Sequence, residues 1–292
     1  MTTVKRIKVI MKFDRIEKIR HSMIQHGKMN DRVYIMKLDP VDMPDMLDAI
    51  EQLAIKKKYS KIFAKIPALC ENEFVKRGYV HEAIIPSMYC GVSEGLFLAK
   101  FLSPERAIDE RMQDIKSIIS LSQDKTGEKM KARTGHDYSI HRATEEDVQD
   151  ICAVYKEVFP SYPFPIYDPN YIRKTMTSHI QYYVIRDSSA CCCGSSSAEI
   201  DEKSGCAEMT DFATLSTHRG TGLARWLLSR MEADMITQGV TMAYTIARAL
   251  SAGMNITFAK NDYRFAGTLI NNTNIAGSIE SMNVWYKPLQ AV

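Results

Sequence analysis

The sequence predicts an α/β (α+β) protein in which a mixed β-sheet flanked by helices, built by residues 138–292, follows a shorter and related first half. Three observations predict it. Apolar periods of two and of 3.6 residues alternate along 138–292, a strand runs into a helix through a glycine-containing loop at 208–224, and two short phrases near the end recur before residue 103. With 292 residues, 45% hydrophobic and 25% charged, the chain is long enough to bury a sizeable core. Disordered, collagen-like and solenoid readings are excluded.

The first half is read as 1–102. There a strand at 61–65 precedes a helix, and Lys56, Lys57 and Lys58 end an earlier helix, where cations suit the dipole. Glu73-Phe74-Val75-Lys76-Arg77-Gly78-Tyr79 parallels Thr257-Phe258-Ala259-Lys260-Asn261-Asp262-Tyr263, and 97–102 parallels 284–289. This half has no glycine-rich loop, so it reads as a degenerate partial copy of the second. Residues 103–137 read as a helix, with Ile108, Met112, Ile115 and Ile119 at helical spacing, followed by an exposed linker at 123–135.

The second half, 138–292, opens on an alternating strand at 138–142. Thr144 then supplies an N-cap, with Asp147 three residues on, for a helix that Pro160, Pro163 and Pro165 bring to an end after Phe159. A helix at 169–178 leads to a hairpin of strands at 181–186 and 190–201, and a turn at 203–205 leads to a strand at 207–214. Leu223, Leu227, Met231 and Met235 mark one face of the next helix. A strand at 241–246, a helix at 251–261 and strands at 265–271 and 282–289 close the chain.

The net charge of +3 conceals a split: residues 1–137 carry an excess of six positive charges, and 138–292 an excess of three negative ones. Neither value suggests a nucleic-acid partner. No apolar run approaches the roughly 18 residues of a membrane span, and the first fifteen residues are interrupted by charge too early for a secretory signal. Seven cysteines without framework spacing suit a reducing, cytoplasmic setting. No metal site is expected: Cys191, Cys192 and Cys193 are adjacent on a strand, alternate between its faces and cannot all reach one ion.

Segment 208–224 reads EMTDFATLSTHRGTGLA. Its glycines let successive backbone N–H groups converge where the following helix points its positive end, an arrangement that binds diphosphates. It is not a Walker loop, because no Gly-Lys-Ser/Thr follows, and not a dinucleotide fingerprint, because it has two glycines and no βαβ start. The spacing Arg219-X-X-Gly222-X-Ala224 resembles the signature of the GNAT acetyltransferases, and the element order is similar to the GNAT acyl-CoA N-acyltransferase fold. That resemblance implies acetyl-CoA as cosubstrate. Its pyrophosphate is expected on the amides of Arg219, Gly220, Thr221, Gly222, Leu223 and Ala224, and its pantetheine beside a splayed backbone at Phe212, Ala213, Thr214 and Leu215.

A finer resemblance covers nearly the whole chain. EMTDFAT at 208–214, Ala247-Arg248 followed by Gly253-Met254-Asn255, GTLINN at 267–272, ESMNVWYK at 280–287, NDRVY at 30–34 and EAIIP at 82–86 resemble the β-lysine N6-acetyltransferases. The resemblance implies N6-acetylation of β-lysine to the osmolyte Nε-acetyl-β-lysine in salt-stressed cells, the alternatives being acetylation of another amine, such as a protein or peptide lysine or a polyamine, or a non-catalytic acyl-CoA-binding module. A lysine 2,3-aminomutase would supply the acceptor.

Acetyl transfer needs a neutral amine, and neutralising a primary alkyl amine of pKa about 10.4 near pH 7 costs roughly 4–5 kcal/mol. Glu208 resembles in position the strand carboxylate that serves several GNAT enzymes as base, with Asp211 the alternative. Three residues apart on a regular strand, the two would face opposite sides, so both reach one site only if the strand is bulged. Phe258 stands where many family members place a general-acid tyrosine. Arg248 is expected to hold the substrate carboxylate, with Asn271 and Asn272 beside it and Glu280 or Asp211 on the second amine. Asn255 is expected on the pantetheine arm and Tyr167, with Tyr162 and Phe164, on the acceptor pocket. The first half is expected to wall that pocket or to form a homodimer.

Overall fold

The computed structural model describes residues 13–129 and 138–289, so positions 130–135 of the expected charged linker lie outside the described residues. The first half contributes β1 (Arg15–Ile19), β2 (Ser22–Gly27), β3 (Arg32–Lys37), α1 (Asp45–Lys57), β4 (Lys61–Pro67), α2 (Glu71–Lys76), β5 (Val80–Tyr89) and β6 (Ser93–Phe101). After α3 (Met112–Gln123), the second half contributes β7 (Tyr138–Arg142), α4 (Val148–Val158), α5 (Pro169–Met176), β8 (Ile180–Asp187), β9 (Cys192–Asp201), β10 (Cys206–Thr214), α6 (Leu223–Thr237), β11 (Met242–Arg248), α7 (Ala252–Lys260), β12 (Arg264–Ile275) and β13 (Ser278–Pro288). Thr144 and Asp147 form a reciprocal capping box ahead of α4. The two closing strands are longer than their apolar runs suggest, because β12 and β13 pair through to a tight turn at Ala276 and Gly277.

The thirteen strands of the described residues join in one sheet, ordered β1-β2-β3-β4-β6-β5-β12-β13-β11-β10-β9-β8-β7. Outward from the β5/β12 junction, both directions give the same sequence of roles. The only parallel pairs among the described strands, β3 with β4 and β10 with β11, fall at equivalent places. Among the described residues this correspondence of order takes in six strands and two helices of each half, more than the phrases shared along the sequence. Its physical basis is visible after α2 and α7. In both, a residue of positive φ, Gly78 or Asp262, lets the next tyrosine amide return to the phenylalanine carbonyl five residues back, at 3.2 and 3.1 Å. The rings then meet edge to face, Phe74 with Tyr79 at 5.0 Å and Phe258 with Tyr263 at 5.1 Å.

One buried cluster lies under α1, where Val33, Ile35, Ile62 and Ala64 meet Leu47, Ile50 and Ala54. Another lies under α6 and α7, and the third runs across the opposite face of both halves, from Phe63 and Phe97 to Tyr244, Val284 and α4. At the junction Gly267 pairs with Ala83, and a Cβ on Gly267 would fall 2.1 Å from the Glu82 carbonyl oxygen. Only glycine permits that approach.

Beyond it, β12 bulges away from β13 between Leu269 and Thr273, which leaves three consecutive carbonyls without strand partners. Each is met by a cation of the preceding sequence. Lys61 Nζ donates to the Ile270 carbonyl at 2.7 Å, Arg106 Nε to that of Asn271 at 2.6 Å, and Arg32 Nη1 to that of Asn272. Lys61 also reaches both oxygens of Glu82, at 3.0 and 2.8 Å, and Glu82 accepts the Ile270 amide.

Candidate active site

β10 pairs with β11 only from Cys206 to Glu208, after which the two strands part. On its other side the register with β9 slips between Thr210 and Ala213, where Asp211 takes a φ of 59°. The slip cancels the alternation of a regular strand, so Glu208 and Asp211 line the same cavity. That cavity has a volume of about 910 Å³, the size of small-molecule sites.

Desolvation pushes the Glu208 carboxyl up to about 7, against the pull of Lys65 and with the push of Glu199. Lys65 donates to the Tyr244 hydroxyl at 2.7 Å and also faces the cavity. Burial raises the Asp211 carboxyl too, but both of its oxygens are already engaged, one by the Tyr162 hydroxyl and the other by Ser197 Oγ. His179 lies 3.4 Å from Glu199, whose carboxyl it helps hold below the usual range.

Beside this cavity, the edge of β10 that has left β11 runs from Met209 to Thr214 and leads into the loop at 215–222. Gly220 and Gly222 have φ of 75° and 81°, Gly222 is the N-cap of α6, and no side chain caps that helix. A Cβ at either glycine would meet nothing within 4 Å, so conformation rather than space selects glycine. Arg219 Nε holds the Thr214 carbonyl at 3.1 Å and fixes the loop entrance. An uncapped helix start in open space, continuous with a free strand edge, fits a diphosphate followed by an extended amide-bearing arm.

The structure does not bring every expected residue to this place. Phe212 and Phe258 line the cavity, with ring centroids 5.5 Å apart, and Tyr263 is buried behind Phe258. Ala213 and Leu223 are buried, while Thr221 Oγ1 closes the loop on the His218 carbonyl at 2.7 Å. Asn255 is buried away from the cavity: it donates to the Arg248 and Ser251 carbonyls, and its Oδ1 accepts from Asn283 and from Trp285 Nε1, both at 2.9 Å. It secures α7 to β13. Arg248 reaches the cavity wall, but Glu280 holds it bidentately at 2.9 Å on both arms. The residues expected on opposite charges of the substrate are therefore spent on each other. Asn271 points its amide at the carbonyls of Arg106 and Ile108, and the Tyr167 hydroxyl caps the Phe159 carbonyl at 2.8 Å, so neither lines the cavity. Asn272 does.

Sequence reasoning missed most of the opposite wall, which comes from the first half: Gln25, Arg32, Tyr34, Phe63 and Lys65. The available signal was a charged residue at period two within an apolar strand, Arg32 and Tyr34 alternating with Val33 and Ile35, and Lys65 following Phe63. Glu199 and Tyr244 complete the group from the second half.

A sequence profile described as the Acetyltransferase (GNAT) family matches residues 148–253. The chain is 38% identical to a β-lysine N6-acetyltransferase of Methanococcus maripaludis over 94% of its own length and 98% of that protein. It is 30% identical to the N-acetyltransferase YodP of Bacillus subtilis, over 92% and 96% of the two chains. A β-lysine N6-acetyltransferase of Methanosarcina mazei is 28% identical, over 84% of this chain and 97% of that one. The parted β10 and β11, the uncapped glycine-flanked start of α6 and this full-length likeness converge: the chain is an N-acetyltransferase of the GNAT family and belongs, within it, with the β-lysine N6-acetyltransferases.

Proposed function

We propose that the chain acetylates the N6 amine of β-lysine, giving Nε-acetyl-β-lysine, with acetyl-CoA as donor. The observation that carries this reading is the position of Glu208. Its carboxyl, raised to about 7, stands where β10 parts from β11 and faces a cavity of small-molecule size that both halves enclose. Acetyl-CoA, when bound, supplies the acetyl group as a thioester. The amides of 219–224 would hold its diphosphate and the free edge of β10 its pantetheine.

Glu208 takes the proton of the N6 ammonium. A carboxylate of pKa about 7 removes part of the cost of neutralising an amine of pKa about 10.4, and does so better than an ordinary glutamate. Asp211, already accepting from Tyr162 and Ser197, keeps the bulge of β10 in place and adds negative potential toward the cationic acceptor. No hydroxyl stands at Phe258, so water protonates the departing thiolate, whose conjugate acid has a pKa of about 8.5. On this reading the product is a compatible solute of the cytoplasm under salt stress, and a lysine 2,3-aminomutase makes its acceptor.

The test is release of CoA by purified protein with acetyl-CoA and β-lysine, α-lysine or spermidine. The highest kcat/KM is expected with β-lysine, and no release with either amino acid would overturn the reading. A second expectation concerns the donor. Gly222→Val places a β-branched residue at positive φ, a strain of about 1–2 kcal/mol, and should raise the KM for acetyl-CoA about tenfold with little change in the KM for the amine. Equal changes in both would contradict the assignment of the loop to the donor.

A further inference from the structure

The cavity has a polar corner that the chemistry above does not use. β3 turns Val33 and Ile35 to the core under α1 and Arg32 and Tyr34 to the cavity, and Gln25 pairs across from Tyr34 on β2. Arg32, Gln25 and Asn272 all line the cavity, with only 4%, 1% and 1% of their surfaces exposed. Arg32 is stacked against Tyr34 and Phe63, at 5.1 and 5.6 Å from the ring centres, and its Nη1 is committed to the Asn272 carbonyl and to Thr273 Oγ1. Its Nε has no partner, and among the described residues no carboxylate forms an ion pair with it. Both amide atoms of Gln25 and the Oδ1 of Asn272 are buried without partners as well.

A guanidinium taken out of water without an anion, beside an amide with neither donor nor acceptor satisfied, is costly unless a ligand completes it. We propose that this corner receives the charged head of the acceptor, with Arg32 Nε and Gln25 Nε2 donating to its carboxylate while Gln25 Oε1 and Asn272 Oδ1 accept from the neighbouring ammonium. The inference rests on the reading of the acceptor as a diamino acid and names the residues that select it. Arg248 does not compete for the carboxylate, because Glu280 already fills its fork. Tyr34, which lies within electrostatic range of both Arg32 and Glu208, marks the path from the head-group corner to the base. The acceptor thus lies with its head against the first half and its distal amine toward β10.

The test compares each amino acid with the same molecule lacking its carboxylate: β-lysine with 1,4-diaminopentane, and α-lysine with 1,5-diaminopentane. Arg32→Gln should lower kcat/KM for β-lysine roughly 10²- to 10³-fold, mainly through KM, and change that for 1,4-diaminopentane less than about threefold. Parallel losses on both amines, or a carboxylate-selective loss in Arg248→Gln instead, would overturn the proposal. If Arg32→Gln does not fold, Gln25→Leu carries the test, since that side chain makes no hydrogen bond in the folded protein, and a selective loss of about tenfold is expected. A wild type that prefers α-lysine would overturn the choice of β-lysine, and the selectivity test then runs on α-lysine and its diamine. A wild type that takes diamines as fast as amino acids overturns the corner as a carboxylate receptor and leaves acetyl transfer to amines standing.

Discussion

Glu208→Gln is expected to lower kcat by about 10²- to 10⁴-fold, the range for loss of a positioned general base, with much smaller changes in either KM. The amide keeps the size of the side chain and its place opposite Tyr244 in the β10/β11 register but cannot take a proton. With Glu208 as the proposed base the working form is the carboxylate, so kcat/KM should rise with pH through about 7 and level off above it, and the variant should lose that inflection. Stability moves the other way. The folded-state carboxyl lies above its ordinary value of 4.5, so between about 4.5 and about 7 the folded chain binds a proton that the unfolded chain has released, and wild-type stability falls as pH rises through that window. Glu208→Gln removes this loss and should raise the melting temperature at pH 7.5. Full activity across pH in the variant would remove Glu208 as the base.

Lys61→Met is expected to destabilise the chain by about 3–5 kcal/mol, read from urea unfolding, because it leaves the Glu82 carboxylate buried without its cation. Both side chains are shut away from solvent, at 0% and 3% exposure. Burial outweighs the pull of Glu82 and brings the Lys61 ammonium down to about 8, so the pair itself adds little net stability. The cost lies in breaking one side of it. Lys61→Met combined with Glu82→Gln should recover most of the loss, since the glutamine oxygen can still accept the Ile270 amide. A fall of less than about 1 kcal/mol in the single variant would contradict the role given to this pair at the junction.

Local rules made much of the second half legible. The capping box ahead of α4, the apolar face of α6 and the strand-loop-helix at 208–224 are set by residues within one or two turns of each other. The parts that were not legible depend on distant partners. Gly267 reads as an ordinary strand glycine until Glu82, 185 positions earlier, is found against it. Arg248 and Glu280 each look available for substrate, and only the pairing of Arg248 with Met282 across β11 and β13 shows that they meet. Asn255 carries the polar atoms expected of a ligand contact, yet Asn283 and Trp285 use them. Arg32 and Lys65 are charged residues within apolar strands of the first half, and only the assembled sheet shows that they line the cavity.

The junction of β5 with β12 has a consequence for how the site is assembled. The first-half wall and Glu208, the proposed base, belong to one covalent chain, so their effective concentration is fixed by the fold and not by the amount of protein present. Dilution, which separates a pocket shared between independent subunits, leaves this pocket whole. The same junction consumes one free strand edge from each half. Among the described residues the sheet is bounded only by β1, with Arg15, Glu17 and Lys18 along its exposed length, and by β7, with His141 and Arg142 at its end, so charge guards both borders against edge-to-edge growth.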